Sequence, residues 1–436
     1  MPDPQTIAAP MPPIEREGKA LGPFGAAIEK LGIPRSLFWG YAGLLLFMIG
    51  DGVETSFLSR MFFDFGLPQS DVGFIFTVYG ITAAFGAYLA GALSDLWGPR
   101  KVMALGAAIW LALHFAMLTL ALPNQSYWMI LATYGLRGLG YPLFAYGFMI
   151  WVMRGAPKAR LNVALGWFWF AFTAGYPVLG SLLSGTLLPS FGTSGLLWLS
   201  LLLVAAGAAT VFLLVREKHG FHASPSGLEQ GFLRTLTGGI TIMFTIPAVG
   251  RGAIVRLINT TSQFGIWVFF PIMFTQTLGF TLAEWATLLS IMMGSNMVAV
   301  ILVGMISDRW SWRKASALFG GVFCAVACLI LYYVPMWNGG AFVPAAIAAA
   351  IYGIALAGYI AVPPMMTSQD PERQGQIMSA YTLGAGASVA LGPFIGTLLI
   401  EPVGLEGVIW TYAALHLISA GLCMSIKSPG DGKPES

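Results

Sequence analysis

Charge is what this sequence has least of. Only 9% of its 436 residues are Asp, Glu, Lys or Arg, against about 25% in ordinary soluble domains. Hydrophobic residues make up 57% and the mean hydropathy is +0.76, so a soluble enzyme or signalling domain is excluded and the bilayer is the expected solvent. Cysteine is equally scarce. Cys324, Cys328 and Cys423 are the only three and all fall in apolar stretches without His or carboxylate neighbours in sequence, which leaves no redox motif and no metal-binding spacing. The four histidines are scattered, so no catalytic cluster forms either, and neither a metal nor a cofactor is expected. An apolar run close behind the initiating Met is also missing. Residues 1–36 carry Pro4, Pro10, Pro12 and Pro13 among mixed charges, which reads as a retained tail and not as a cleaved signal. A net charge of +3 gives no reason to invoke nucleic acid.

Long apolar runs are what the sequence does have. Stretches of bilayer-spanning length fall near 37–59, 70–93, 102–122, 127–152, 162–188 and 195–215, and again near 252–276, 284–306, 314–335, 341–365, 376–400 and 407–426, each bounded by Pro, Gly, Asn or charge. The expectation is an all-α membrane protein of twelve transmembrane helices. The longest interior polar segment, 216–239, divides them into a six-helix bundle over 37–215, a linker over 216–250 and a second bundle over 251–426, with tails at 1–36 and 427–436. Basic residues recur in alternate loops: Arg100 and Lys101; Arg154, Lys158 and Arg160; Arg216, Lys218 and Arg234; then Arg309, Arg313, Lys314 and Arg373. The opposite loops carry essentially Arg60 alone, so the positive-inside rule places both termini in the cytoplasm.

The halves repeat. GALSDLWGPRK at 91–101 returns as GMISDRWSWRK at 304–314, YGLRGLGYP from Tyr134 lies in register with YGIALAGYI from Tyr352, and YPVLGSLL from Tyr176 with GPFIGTLL from Gly392. Parallel six-helix repeats around a midplane site are the architecture of two halves that rock against each other. The loop Gly-x-x-x-Asp-x-x-Gly-x-Arg-Lys resembles the signature of the major facilitator superfamily. That resemblance implies a gating latch at the cytoplasmic side, in which Asp95, Arg100 and Lys101 and, in the second copy, Asp308, Arg313 and Lys314 pair or cap helix ends and release on opening. The second copy departs from the pattern, with Ser311 where the first has Gly98.

Two carboxylates stand where a bilayer disfavours them. Asp51 and Glu54 are three apart in the first span and share a face. An ionisable group at that depth costs at least ~2.5 kcal/mol, so it faces water, holds a partner or carries a proton. Arg137 in the fourth span is the partner on offer, and the trio is the expected proton-coupling site, with one carboxylate protonated near neutral pH. The alternative is a static pair that fixes packing. On the seventh span Asn259 and Gln263 are four apart, with Arg256 a turn earlier either joining that face or marking the cytoplasmic end. Amides offer both donors and acceptors and suit a chain of hydroxyls, with interhelical glue as the alternative. Trp167, Tyr381, Asn296 and Tyr141 complete the expected substrate site. His114 and His416 fall on spans expected to be peripheral and read as structural.

GDGVETSFLS, YGLRGLGYPLF, ALGWFW and VRLINTTSQFG are together similar to the corresponding stretches of bacterial polyol permeases. The resemblance implies proton-driven uptake of a linear sugar alcohol, of ribitol or arabinitol type, across a bacterial inner membrane; the expected partners are that solute, protons and membrane lipids, with the protein working as a monomer. An organic-acid/proton symporter is the alternative within transporters. A drug exporter is disfavoured by Tyr176-Pro177 where antiporters show Gly-Pro, and a membrane nutrient sensor by the lack of a signalling domain.

Overall fold

The structure is a computed structural model, which describes residues 33–156, 161–215, 220, 240–370 and 373–426. The expected tails before Ile33 and after Ile426, the segment 216–239 apart from Gly220, and the basic residues Lys158, Arg160, Arg216, Lys218 and Arg234 lie outside the described residues, as does the side chain of Asp308.

Every element among the described residues is helical, as it must be where lipid offers no partner for an unpaired N–H or C=O. Among the described residues nine helical stretches are long and apolar enough to cross a bilayer. Two of them, Val163–Leu214 and Gln376–Ser425, run 52 and 50 residues, about twice the roughly 20 that a crossing needs. Each turns at one glycine, Gly192 (φ 65°, ψ 176°) and Gly404 (φ 67°, ψ 178°), where the missing Cβ makes a positive φ cheap. Divided there, the helices are α1 (Arg35–Asp64), α2 (Gln69–Trp97), α3 (Pro99–Asn124), α4 (127–155, interrupted at Gly138 and Leu139), α5 (161–191) and α6 (193–214). After the polar segment come α7 (Pro247–Gln276), α8 (Leu282–Trp310), α9 (Trp312–Trp337), α10 (Phe342–Thr367), α11 (374–403) and α12 (405–425).

The helices of each half bury their own aromatic core, Phe47, Trp110, Phe144 and Trp151 in the first and Phe270, Trp285, Tyr352 and Tyr412 in the second. The halves meet along α2 with α11 and α5 with α8. Small residues let those backbones touch: a Cβ on Gly80 would fall 2.4 Å from the backbone nitrogen of Ala390. At the end carrying few basic residues, Arg60 of α1 donates to Asp64 at 2.8 Å and to the Thr275 hydroxyl of α7, and Ser70 of α2 donates to Glu401 of α11 at 2.6 Å.

The repeated loops turn by different devices. Gly98 ends α2 at φ 86°, ψ 144°, a conformation suited to glycine, whereas Ser311 is extended (φ −176°, ψ 128°) and its hydroxyl accepts from the Lys314 amide at 3.4 Å, capping α9. The departure from the loop pattern is thus a substitution of a side-chain cap for a positive-φ turn.

Candidate functional site

The carboxylates lie where α1 loosens. The α-helical run ends at Val53, Glu54–Ser56 form a 3₁₀ turn, and Phe57 (φ −134°, ψ −15°) precedes the next helical stretch. Backbone carbonyls around that break find serine partners on neighbouring helices: Ser200 of α6 donates to Gly50 at 2.7 Å and Ser184 of α5 to Val53. Gly52 is needed for contact, since a Cβ there would lie 1.9 Å from the Tyr176 carbonyl oxygen of α5.

Asp51, Glu54 and Arg137 are 1%, 4% and 0% exposed. Arg137 meets Glu54 with both terminal nitrogens, Nη1 to Oε2 at 2.9 Å and Nη2 to Oε1, the bidentate geometry that makes guanidinium–carboxylate pairs strong and directional. Asp51 is held otherwise. Its Oδ1 accepts from the Trp110 indole of α3 at 2.6 Å, and its buried Oδ2 has no partner among the described residues.

His114, one turn beyond Trp110, completes the cluster, so its expected peripheral place is corrected. Its Nε2 lies 3.0 Å from the Leu197 carbonyl oxygen and its Nδ1 against Arg137 Nη1. A carbonyl only accepts, so Nε2 carries the hydrogen and Nδ1 offers its lone pair to the guanidinium. The imidazole stacks on Trp110 at 4.4 Å, and the guanidinium lies 4.8 Å from the Trp110 ring and 4.7 Å from that of Tyr134. The signal in the sequence was an indole and an imidazole four apart in an apolar span, facing one way.

Beside this cluster the halves border a space of about 30 Å³ lined by Thr55, Phe76, Tyr79, Tyr134, Tyr176, Phe264, Trp267, Val268, Val389 and Pro393, room for about one water. Tyr79 stacks on Tyr134 at 4.6 Å, Tyr141 stacks between Tyr79 (6.3 Å) and Tyr176 (6.2 Å), and Tyr176 meets Trp267 across the seam at 5.8 Å. Tyr176 projects from a π-helical turn, Ala174–Leu179, that contains Pro177; a proline without an N–H loosens a helix in this way. A pocket of about 350 Å³ lies at the Arg60 end, lined in part by Phe63, Gln69, Phe269, Gln276 and Tyr332. Tyr79, Tyr176 and Trp267 had not been singled out as ligand contacts.

On the other side of the seam the polar groups are differently used. Asn259 is 8% exposed, and neither it nor Gln263 makes a side-chain hydrogen bond among the described residues. Asn296 instead donates to the Gly353 carbonyl at 3.0 Å, joining α8 to α10. Arg256 lies over the Tyr381 ring at 5.0 Å and reaches the Thr260 hydroxyl at 3.3 Å. Trp167 packs edge-on to Phe170 at 5.4 Å, against the core of the first half. His416 closes a buried chain, with Ser262 at 2.8 Å and Tyr359 at 2.7 Å, and Ser262 in turn bonds Tyr352 at 2.7 Å.

At the basic end, Asp95 pairs with Arg154 of α4 at 2.7 Å, a partner not assigned to it from sequence. Arg100 donates to the Val215 carbonyl at 3.1 Å and to that of Phe212, closing the end of α6. Lys101 and Lys314 are exposed and Arg313 is half-buried.

Two helical halves packed side by side, with an acid–base cluster buried in the first, have the architecture of a solute carrier. The model of the Major Facilitator Superfamily matches residues 40–370 and 252–436. The alpha-ketoglutarate permease of Bacillus subtilis is 38% identical over 91% of this chain and 91% of its own length, and the ribitol transporter of Klebsiella pneumoniae 32% over 92% and 94%. The crystal structure of a D-xylose-proton symporter superimposes with a TM-score of 0.68 at 14% identity, covering 92% of this chain and 99% of that one, which establishes the fold. The chain belongs to the major facilitator superfamily and is a multi-span membrane transporter, not an enzyme.

Proposed function

We propose that this protein takes up a linear, highly hydroxylated solute of polyol type together with protons, by alternating access across a bacterial inner membrane, acting as a monomer. Each of α1–α12 crosses once in this reading, with both termini cytoplasmic and the halves joined by the 216–250 linker. The observation that carries it is the unequal treatment of the two carboxylates. Arg137 engages Glu54 with both terminal nitrogens, while Asp51 keeps one buried oxygen without a partner among the described residues. A bidentate pair holds its charge. A carboxylate with a lone oxygen in a low-dielectric site is the place for a proton that comes and goes. Asp51 is therefore the proton carrier and Glu54 the fixed anion. Protonation relieves the second negative charge beside Tyr176, on the wall shared with the other half, and so biases which side of the seam closes.

Cargo binds at the seam from α7. Asn259 and Gln263 have donors and acceptors to spare, which suits a ladder of hydroxyls, and the stacked tyrosines supply flat apolar walls. The likeness to the ribitol transporter supports that ligand class. At the cytoplasmic end the Asp95–Arg154 pair, with Arg100 at the end of α6, is the latch. Its second-half counterpart runs through Asp308, Arg313 and Lys314.

Proteoliposomes with an imposed pH gradient, offered polyols, sugars and dicarboxylates, test the reading. Accumulation of a polyol that collapses with the gradient is expected; accumulation of none of them, or accumulation indifferent to pH, defeats it.

A further inference from the structure

Among the described residues Arg256 has no carboxylate partner, and its buried Nε has no hydrogen-bond partner. It does not mark the end of its span. Arg251 does that, donating to the Ser425 carbonyl at 2.8 Å, whereas Arg256 lies nine residues beyond Pro247, about 14 Å along the helix. Its ring partner Tyr381 comes from α11, and Tyr146 of α4 is an electrostatic neighbour of both, so the guanidinium stands at the seam between the halves. A cation at that depth without a counter-ion is costly and marks a ligand or ion pathway. The two acids of the other half lie elsewhere, Glu54 in its pair with Arg137 and Asp51 against Trp110.

We propose that Arg256 anchors a carboxylate, so that the preferred cargo is a linear polyhydroxy acid, the oxidised counterpart of a polyol. This rests on the polyol-type reading above and narrows it. Guanidinium nitrogens in a planar fork match a carboxylate. Asn259, Thr260 and Gln263 follow Arg256 at three, four and seven residues on one face, and seven residues rise about 10 Å, enough to lay hydroxyls of a five- or six-carbon chain on the amides while its acid end meets Arg256.

Calorimetric titration of the purified full-length chain with ribitol and with ribonate tests this. Ribonate is expected to bind at least tenfold tighter than ribitol. Arg256→Gln should bring that ratio to about one and Arg256→Lys should leave it intermediate, since an ammonium keeps the charge without the fork. A wild-type ratio of one or less, or a ratio that survives Arg256→Gln, overturns the carboxylate anchor and leaves the polyol reading standing. Binding of neither compound sinks both. The wild-type comparison decides even if Arg256→Gln fails to fold.

Discussion

Glu54→Gln and Asp51→Asn remove the same charge three residues apart, and their surroundings dictate different losses. Arg137 is fully buried, and without the Glu54 charge its guanidinium keeps the His114 ring nitrogen, aromatic faces and the neighbouring Asp51 carboxyl but no carboxylate bonded to it. Stripping one partner from a buried ion pair costs about 3–5 kcal/mol. The Trp110 and Tyr134 rings, at 4.8 and 4.7 Å, each offset about 1 kcal/mol of that, so Glu54→Gln should destabilise the fold by roughly 1–3 kcal/mol. Asp51→Asn keeps a carbonyl oxygen for the Trp110 indole and loses only the charge assistance, roughly 1 kcal/mol. Cys324, Cys328 and Cys423 are free and buried, so a thiol-reactive fluorophore reports unfolding in detergent without added labels. Glu54→Gln is expected to unfold at clearly lower temperature than Asp51→Asn. Function should split the other way: Asp51→Asn mimics the protonated carrier, so uphill uptake under a pH gradient vanishes while counterflow exchange survives. Equal melting of the two variants would refute the partner assignment, and continued accumulation by Asp51→Asn would place the protons elsewhere.

Asn259→Ala or Gln263→Ala should weaken solute binding by about 1–3 kcal/mol through lost hydrogen bonds; equilibrium titration with unchanged affinity in both would return those amides to packing. Asp95→Asn and Arg154→Gln should each slow exchange across the membrane, measured by counterflow rate, while leaving solute affinity near that of the wild type. Gly98→Ala should cost about 1–2 kcal/mol of stability because of the positive φ at that turn, whereas Ser311→Ala should cost roughly 1 kcal/mol through the lost cap; a thermal scan showing no loss for either would contradict the two-device account of the repeated loops.

Helices were legible because lipid imposes one rule on every span: some twenty apolar residues between polar or glycine breaks. Gly192 and Gly404 could be read as breaks but not as the tight turns they make, since a positive φ leaves no trace beyond the glycine itself. The Glu54–Arg137 pairing was legible because two opposite charges in apolar surroundings have few places to go. Its neutral members were not. Trp110 and His114 look like any aromatic pair in an apolar helix, and only the approach of α3 to α1 and α4 turns them into a donor to Asp51 and an acceptor for Arg137. The same ambiguity separated Asn296 from Asn259: each is one amide in an apolar run, but the Gly353 carbonyl claims the first and no group among the described residues claims the second. Asp95 had several basic residues in neighbouring loops to choose from, and the end of α4 brings Arg154 to it.

Duplication gave two halves of one plan, and their chemistry has since diverged. Buried acids, Trp110, His114 and Arg137 all belong to the first half, while the second holds unbonded amides and Arg256. Among the described residues the two sets are bridged by the aromatic wall, where Tyr176 meets Trp267 at 5.8 Å and where the space beside it, about 30 Å³, is far too small for a five-carbon solute. Coupling therefore cannot run by direct contact between proton and cargo in this arrangement. On the proposed reading it runs through the seam: cargo on α7 must part Tyr176 from Trp267 to be admitted, and Tyr176 shares its backbone packing with Gly52, the residue next to Asp51. Displacing that contact shifts the carboxylate's own helix, so the affinity of Asp51 for its proton and of α7 for its cargo are linked by one moving wall, and by reciprocity each ligand strengthens the other's binding by the same factor.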